Sequence, residues 1–206
     1  MKKFERLSPQ QRKQEIRSAA LALFLEKGVS ATTMENIISR VTLSKGGVYR
    51  LYSSTDAILA DLMLEGMHLR NAWYRQQLLT RPRMNLEEIV GLVGESLVMY
   101  PEYSRVYAEF LWEKQRNPRL EELYQQICRV TVEETLPLIR DCGCRALGDP
   151  ETLRLLTDLM NSAVLSMHTL GLREEFIRRK DSLCRALVQV LSPEQKEGET
   201  CLNSVL

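Results

Sequence analysis

Long apolar runs are missing from this 206-residue chain. No stretch approaches the ~20 apolar residues that a transmembrane helix needs. The opening MKKFERLSPQQRKQE is basic but lacks the apolar segment of a signal peptide, so the expected location is the cytoplasm. Histidine is scarce, and His68 and His168 lie a hundred positions apart. There is no H-E-x-x-H, no G-x-S-x-G and no G-x-x-x-x-G-K, and no pair of carboxylates stands out as an acid–base site. The expectation is a protein that is not an enzyme and holds no metal or cofactor. Five cysteines (Cys128, Cys142, Cys144, Cys184, Cys201) make an odd number without framework spacing, which reads as free thiols in a reducing compartment. Cys142-Gly143-Cys144 could suggest a metal or redox switch. No other Cys or His completes a four-ligand set, however, and the position at a helix end reads as a surface loop.

With 44% apolar and 27% charged residues, the composition is that of a globular protein. The net charge of +1 conceals an asymmetry: residues 1–55 carry ten Lys/Arg against four Asp/Glu, and residues 56–206 carry eighteen against twenty-three. A basic N-terminal quarter on an acidic body suggests a local contact with a polyanion.

Strand-like alternation is hard to find, whereas helix starts recur. Ser8-Pro9-Gln10-Gln11 combines an N-cap, a first-turn proline and a glutamine at the third position. Ile16, Ala19, Ala20, Leu23 and Phe24 follow at helical spacing up to Gly28. Thr32-Thr33-Met34-Glu35 reads as a capping box for a helix over 33–40, Ser44 as the cap of a short third helix, and Ser53-Ser54-Thr55-Asp56 as the start of a long fourth. Further helices are expected from Asn85 to about Tyr100, from Pro101 to about Arg116, from Asn117-Pro118 towards Cys142, from Asp149-Pro150 to Gly171, and from Arg173 to Leu191. Pro137 should kink or end its helix early. The reading is an all-α protein of about nine helices. The expected division is 1–53, 54–192 and a frayed tail over 193–206.

The informative pair is the second and third helices. Two short helices joined by Val41-Thr42-Leu43 form a helix-turn-helix, which offers its second helix to a DNA major groove. Seven residues span roughly 10 Å, which suits a groove about 12 Å wide. Gly46 and Gly47 would each cost about 1 kcal/mol in a purely structural helix. At the front of a reading helix they let backbone N–H groups and Lys45 approach phosphates and base edges.

AALALFLEKGVSATTMENIISRVTLSKGGVYRLYSSTDAIL resembles the tetracycline-repressor (TetR) family of bacterial transcription regulators over about residues 9–60. The resemblance rests on the Phe24…Gly28 helix end, the Thr32-Thr33 start, SKGGVY and the aromatic Tyr52. It implies a three-helix DNA-binding domain, a long connecting fourth helix and a C-terminal domain that binds a small ligand and dimerises. It also implies contacts by Thr33 with phosphate, by Ser44, Lys45, Gly46 and Gly47 at the front of the reading helix, and by Tyr49 through its OH. Arg50 is the candidate for an additional direct contact. Thr55 stands where many members carry a basic residue, and Leu51 where many have His or Tyr. Tyr52 reads either as a core aromatic or as a further contact, Val48, Met34, Ile37 and Ile38 as core.

The body holds most of the aromatics and many methionines, which suit either an ordinary core or a pocket for an apolar or aromatic effector. The candidate lining is Met67, Trp73, Tyr107, Tyr124, Cys128, Asn161 and His168. Asn161-Ser162-Ala163 with Leu183, Ala186, Leu187 and Val190 would let the last two helices pair with a twofold copy. The expected partners are therefore a near-palindromic double-stranded DNA site, a small-molecule effector and a second copy of the chain, with no membrane. The functional expectation is a ligand-released repressor. A small all-α enzyme and a DNA-binding regulator without a ligand stand as alternatives.

Overall fold

The computed structural model describes residues 8–81 and 83–192; Pro82, the first seven residues and the expected tail over 193–206 lie outside the described residues. Among the described residues nine α-helices follow one another: α1 (Pro9–Lys27), α2 (Met34–Ile38), α3 (Lys45–Leu51), α4 (Thr55–Thr80), α5 (Leu86–Met99), α6 (Pro101–Glu113), α7 (Pro118–Asp141), α8 (Pro150–Thr169) and α9 (Arg173–Leu191). A 3-10 turn over Arg145–Leu147 precedes α8, and no strand occurs among the described residues. None of these helices is long and apolar enough to cross a membrane.

Helix starts follow the side chains that can satisfy orphan N–H groups. Ser8, Asn85 and Asp149 accept from Gln11, Glu88 and Thr152 N–H, and Ser54 accepts from Ala57 at 3.2 Å. The second box differs from its sequence reading. Thr33, not Thr32, is the cap of α2, and its partner is Asn36 rather than Glu35. Thr32 is buried and donates to the Gly28 carbonyl at 2.7 Å. Nor does Pro137 end its helix, since α7 continues to Asp141. The ring sits at an exposed position, one turn after exposed Glu133, so the carbonyl it deprives of a donor is on the wet side of the helix.

The chain forms two compact units that do not follow chain order. One comprises residues 1–68 and 101–127, the other residues 69–100 and 128–206. In the first, Ile16, Leu23, Phe24, Ile37, Val48, Ile58, Leu59, Leu62 and Phe110 are almost completely buried, and Ile38 is only half-buried. α1 packs on both α2 and α6. Its end is fixed by Gly28, whose φ of 89° few side chains tolerate and where an added Cβ would stand 3.3 Å from Glu109 Oε2. That carboxylate accepts from Val29 N–H at 2.5 Å.

A polar clamp then ties α3 to α1 and α4. Tyr52, buried at the end of α3, donates its OH to Asp61, and Arg17 of α1 donates to the same Asp61 oxygen at 3.1 Å. Arg17 also faces Glu65 in an ion pair at 3.2 Å that lacks hydrogen-bond geometry, and Lys13 lies 5.2 Å from the Tyr52 ring centre. Burial pushes the Asp61 carboxyl up, but the hydrogen bonds from Tyr52 and Arg17 and the Arg17 charge outweigh it and hold Asp61 below its usual range. Burial, the bond to Asp61 and its charge drive Tyr52 well above the usual phenol value. Burial and the Glu65 charge push Tyr103 of α6 up to about 12.

In the second unit α5 packs most closely on α9. An added Cβ at Gly94 would stand 2.7 Å from Cys184 Sγ, so this glycine sets the interhelical distance. Tyr74 and Ser96 close a hydrogen bond at 2.6 Å between α4 and α5. Cys142 and Cys144 correct the expected surface loop, being only 4% and 5% exposed. Gly143, at φ 83°, turns the chain so that Cys144 N–H returns to the Ile139 carbonyl at 3.3 Å, and both sulfurs join the core around Leu147 and Leu156. Burial pushes the Cys142 thiol up. A cleft of about 620 Å³ opens beside this loop, where Arg83 and Arg145 stand with Glu88 and Asp141. Among the described residues no group of three His, Cys, Asp or Glu could hold a metal ion.

Two measurements check this packing. Gly94→Ala should lower unfolding stability by about 1–3 kcal/mol through overpacking, and Cys184→Ala in the same chain should recover most of the loss. Asp61 is depressed in the folded state, so its contribution is present above the unfolded value of about 3.9 and fades as pH falls through the folded one. Asp61→Asn should therefore cost about 1.5–3 kcal/mol at pH 7. In acid titration of unfolding free energy the difference between the two proteins should shrink below about pH 4.

Candidate nucleic-acid interface

Ser44 begins α3 by accepting from Gly47 N–H at 3.2 Å, and Val48 N–H donates to the Ser44 carbonyl at 3.0 Å. Val48 is fully buried, which turns the opposite face of this two-turn helix outward. Ser44, Lys45, Gly46, Tyr49 and Arg50 are exposed on it, and Tyr49 retains 40% of its surface. Gly47 is half-buried, as is Leu51.

The two glycines have different causes. A Cβ on Gly47 would stand 3.3 Å from Ser44 Oγ and 3.6 Å from the Leu43 side chain, so the cap itself favours glycine there. A Cβ on Gly46 would meet nothing within 4 Å. No packing among the described residues requires that glycine. Its flat, bare backbone at the start of the helix is a surface that another molecule can approach closely.

Lys45 is 3.6 Å from Glu35 of α2, yet both side chains are about two-thirds exposed, so the pair holds the lysine only loosely. Its Nζ also lies 5.9 Å from the Tyr49 ring centre. Lys45 and Tyr49 thus stand together at the front of α3. Arg50 forms no ion pair among the described residues, unlike Arg17 and Arg40, which are engaged by Asp61 and Glu26.

Thr33 is exposed at the start of α2. Its N–H already donates to Asn36 Oδ1 at 3.1 Å and its oxygen accepts from Asn36 N–H at 3.3 Å, which leaves the hydroxyl proton for an outside acceptor. Ser44 Oγ likewise accepts from a backbone N–H, that of Gly47, which leaves its hydroxyl proton to donate. Thr55, the first residue of α4, is half-buried beside the Ser54 cap. The geometry therefore brings Ser44, Lys45, Gly46, Tyr49 and Arg50 onto one short helix, with Thr33 and Thr55 at the starts of its two neighbours. Asn36 and the Lys13–Arg17–Asp61 clamp, which fix the orientation of α2 and α3, escaped the sequence reading. Asn36 had a local signal, three residues after Thr33. The clamp had none, because Arg17 and Asp61 are 44 positions apart.

The effector-lining candidates fall in both units: Met67, Tyr107 and Tyr124 in the first, Trp73, Cys128, Asn161 and His168 in the second. Met67, Tyr124 and Cys128 are buried and the other four half-buried. Tyr107 stacks on Phe110 at 5.7 Å, Lys114 covers the Tyr124 ring at 4.2 Å, and Trp73 contacts Tyr74 at 5.3 Å.

Residues 16–62, from the core of α1 to the first turns of α4, match the family model of the bacterial regulatory proteins, tetR family. No curated protein matches the sequence significantly. Among solved structures the chain is similar to a protein from Syntrophomonas wolfei described as a TetR-family transcriptional regulator, with 17% identity, a TM-score of 0.69, and 87% of this chain and 96% of that one covered. A protein from Mesorhizobium loti of the same description shares 20% identity at a TM-score of 0.68, covering 90% of this chain and 98% of that one. FadR from Bacillus halodurans, a fatty acid degradation regulator, shares 15% identity at a TM-score of 0.63, covering 91% and 96%. At these identities the likeness is one of fold. Residues 16–62 thus carry the helix-turn-helix of the tetR family model, and the chain shares its all-α fold with proteins described as TetR-family transcriptional regulators.

Proposed function

We propose that the protein is a repressor that binds a near-palindromic operator as a homodimer and is released by a small apolar or aromatic effector. The observation that carries the DNA-reading part is Gly46, a helical glycine that nothing in the chain requires, set between Lys45 and exposed Tyr49 and Arg50. Lys45 and Arg50 serve phosphates or guanine edges, Tyr49 and the hydroxyls of Thr33, Ser44 and Thr55 serve phosphates, and Gly46 and Gly47 admit the base edges. Residues 1–53 carry the reading and residues 54–192 the sensing and pairing.

Pairing is supported by the apolar side chains left exposed on α8 and α9. Val190 is 65% exposed and Leu183 42%, whereas Leu187 is half-buried against the chain's own core. A twofold copy covering that face would present two α3 helices to successive major grooves, about 34–36 Å apart. The mechanism of release is a shift of α4 on effector binding that changes the spacing of the two α3 helices. Affinity for DNA then falls by the effector's differential affinity for the two states. The candidate effector contacts are Met67, Tyr107 and Tyr124 within the first unit and Trp73, Cys128, Asn161 and His168 within the second.

Footprinting on DNA flanking the protein's own gene should show a protected near-palindrome. Absence of any protected site would sink the regulator reading. Gly46→Ala should stabilise the fold by up to about 1 kcal/mol and yet weaken operator binding roughly tenfold, a loss of ~1.4 kcal/mol. Arg50→Ala should reduce the salt dependence of binding by about one counterion. Leu183→Glu with Val190→Glu should give a monomer in sedimentation and lose operator binding with it; a dimer that persists would place the pairing face elsewhere.

A further inference from the structure

Helical hydroxyls in this protein close back onto their own helix. Thr80 donates to the Gln76 carbonyl at 2.9 Å, Thr135 to Thr131 at 2.7 Å, Thr157 to Leu153 at 2.9 Å and Ser166 to Ala163 at 2.9 Å. Thr131 of α7 breaks the pattern, because its Oγ1 is buried and has no hydrogen-bond partner. One turn further along the same face of α7, Glu134 accepts at 2.7 Å from Asn71 Nδ2, which reaches across from α4. Asn71 is only 5% exposed, and its Oδ1 is also buried and unpartnered. No Lys, Arg or His among the described residues lies within ion-pair distance of Glu134.

The second unit thus gathers an amide oxygen and a hydroxyl without hydrogen-bond partners beside a carboxylate that takes one hydrogen bond from Asn71 but meets no cation. Each unmet acceptor costs its desolvation, and the unpaired carboxylate costs most. Tyr74 cannot help, since its OH is closed onto Ser96. A water molecule would bring two donors but no charge. An ammonium brings three donors and the missing positive charge. Buried Cys128, one turn before Thr131, supplies apolar surface on the same face of α7.

We propose that Asn71, Thr131 and Glu134 form the polar anchor of an effector site, and that its ligand is a protonated amine on an apolar or aromatic body. Asn71 Oδ1 and Thr131 Oγ1 accept from the ammonium while Glu134 balances its charge. This deepens the ligand-responsive reading and rests on it.

The test titrates 2-phenylethylammonium into the full-length protein by calorimetry, beside 2-phenylethanol and 3-phenylpropionate as neutral and anionic forms of the same body. The amine should bind tightest. Glu134→Gln should weaken it roughly tenfold or more and leave 2-phenylethanol within about twofold. Thr131→Val, which keeps the shape, should weaken the amine about threefold to tenfold. The unfolding temperature of the ligand-free protein should hold or rise, because the hydroxyl it removes bonds nothing. The anchor is overturned if the amine does not bind at millimolar concentration, if the propionate binds as well, or if both variants bind the amine like the parent. Operator footprinting of the ligand-free protein separates the two readings. A lost footprint with intact amine binding condemns only the regulator, and the reverse condemns only the anchor.

Discussion

The helix-turn-helix unit depends on Asp61. Its carboxylate receives the OH of Tyr52 at the end of α3 and the guanidinium of Arg17 in α1, so three helices meet on one group. Without that clamp, α3 would rest mainly on buried Val48 and half-buried Leu51. A seven-residue helix has little stability of its own. Its direction must come from tertiary contacts, and a hydrogen-bonded charge fixes direction better than an apolar contact that can slide. The same logic governs the other side of α1, where Glu109 takes Val29 N–H and shapes the turn into α2.

This arrangement explains why the basic excess of the N-terminal quarter is a poor guide to the interface. Arg17 and Arg40 are spent on Asp61 and Glu26, so they shape the fold instead of facing a polyanion. Lys45 is held weakly and Arg50 is not paired at all among the described residues. What the fold leaves available to a polyanion is the small share of positive charge uncommitted on α3.

Much of the fold was legible because helix ends are written locally. Ser8, Ser44, Asn85 and Asp149 sit where their oxygens can take an N–H two or three residues on, and each starts a helix where the sequence places one. The misreadings are also local in form but non-local in cause. Thr32 and Thr33 are indistinguishable as caps until burial assigns Thr32 to the interior. Pro137 breaks an isolated helix, yet an exposed position inside a packed one tolerates it. Cys142 and Cys144 flank a glycine, which in sequence means only a turn; that the turn points inward depends on the core it meets. On α3 the surface residues were legible from SKGGVY, whereas the clamp beneath them was not, since no local rule links position 17 to position 61.

Glycine sharpens the distinction between what a fold needs and what a partner needs. Gly28 is required by its backbone angle and by Glu109, Gly94 by Cys184, and Gly47 by the cap that Ser44 forms. Each is accounted for within the chain. Gly46 is different, for it lies in open space at an ordinary helical angle, where alanine would stabilise the helix by about 1 kcal/mol. A residue that costs the free protein stability and serves none of its contacts points to a molecule outside it. Lys45, Tyr49 and Arg50 around that bare backbone are what the proposed contact with a polyanion rests on, and the two-turn length of α3 suits the width of a major groove.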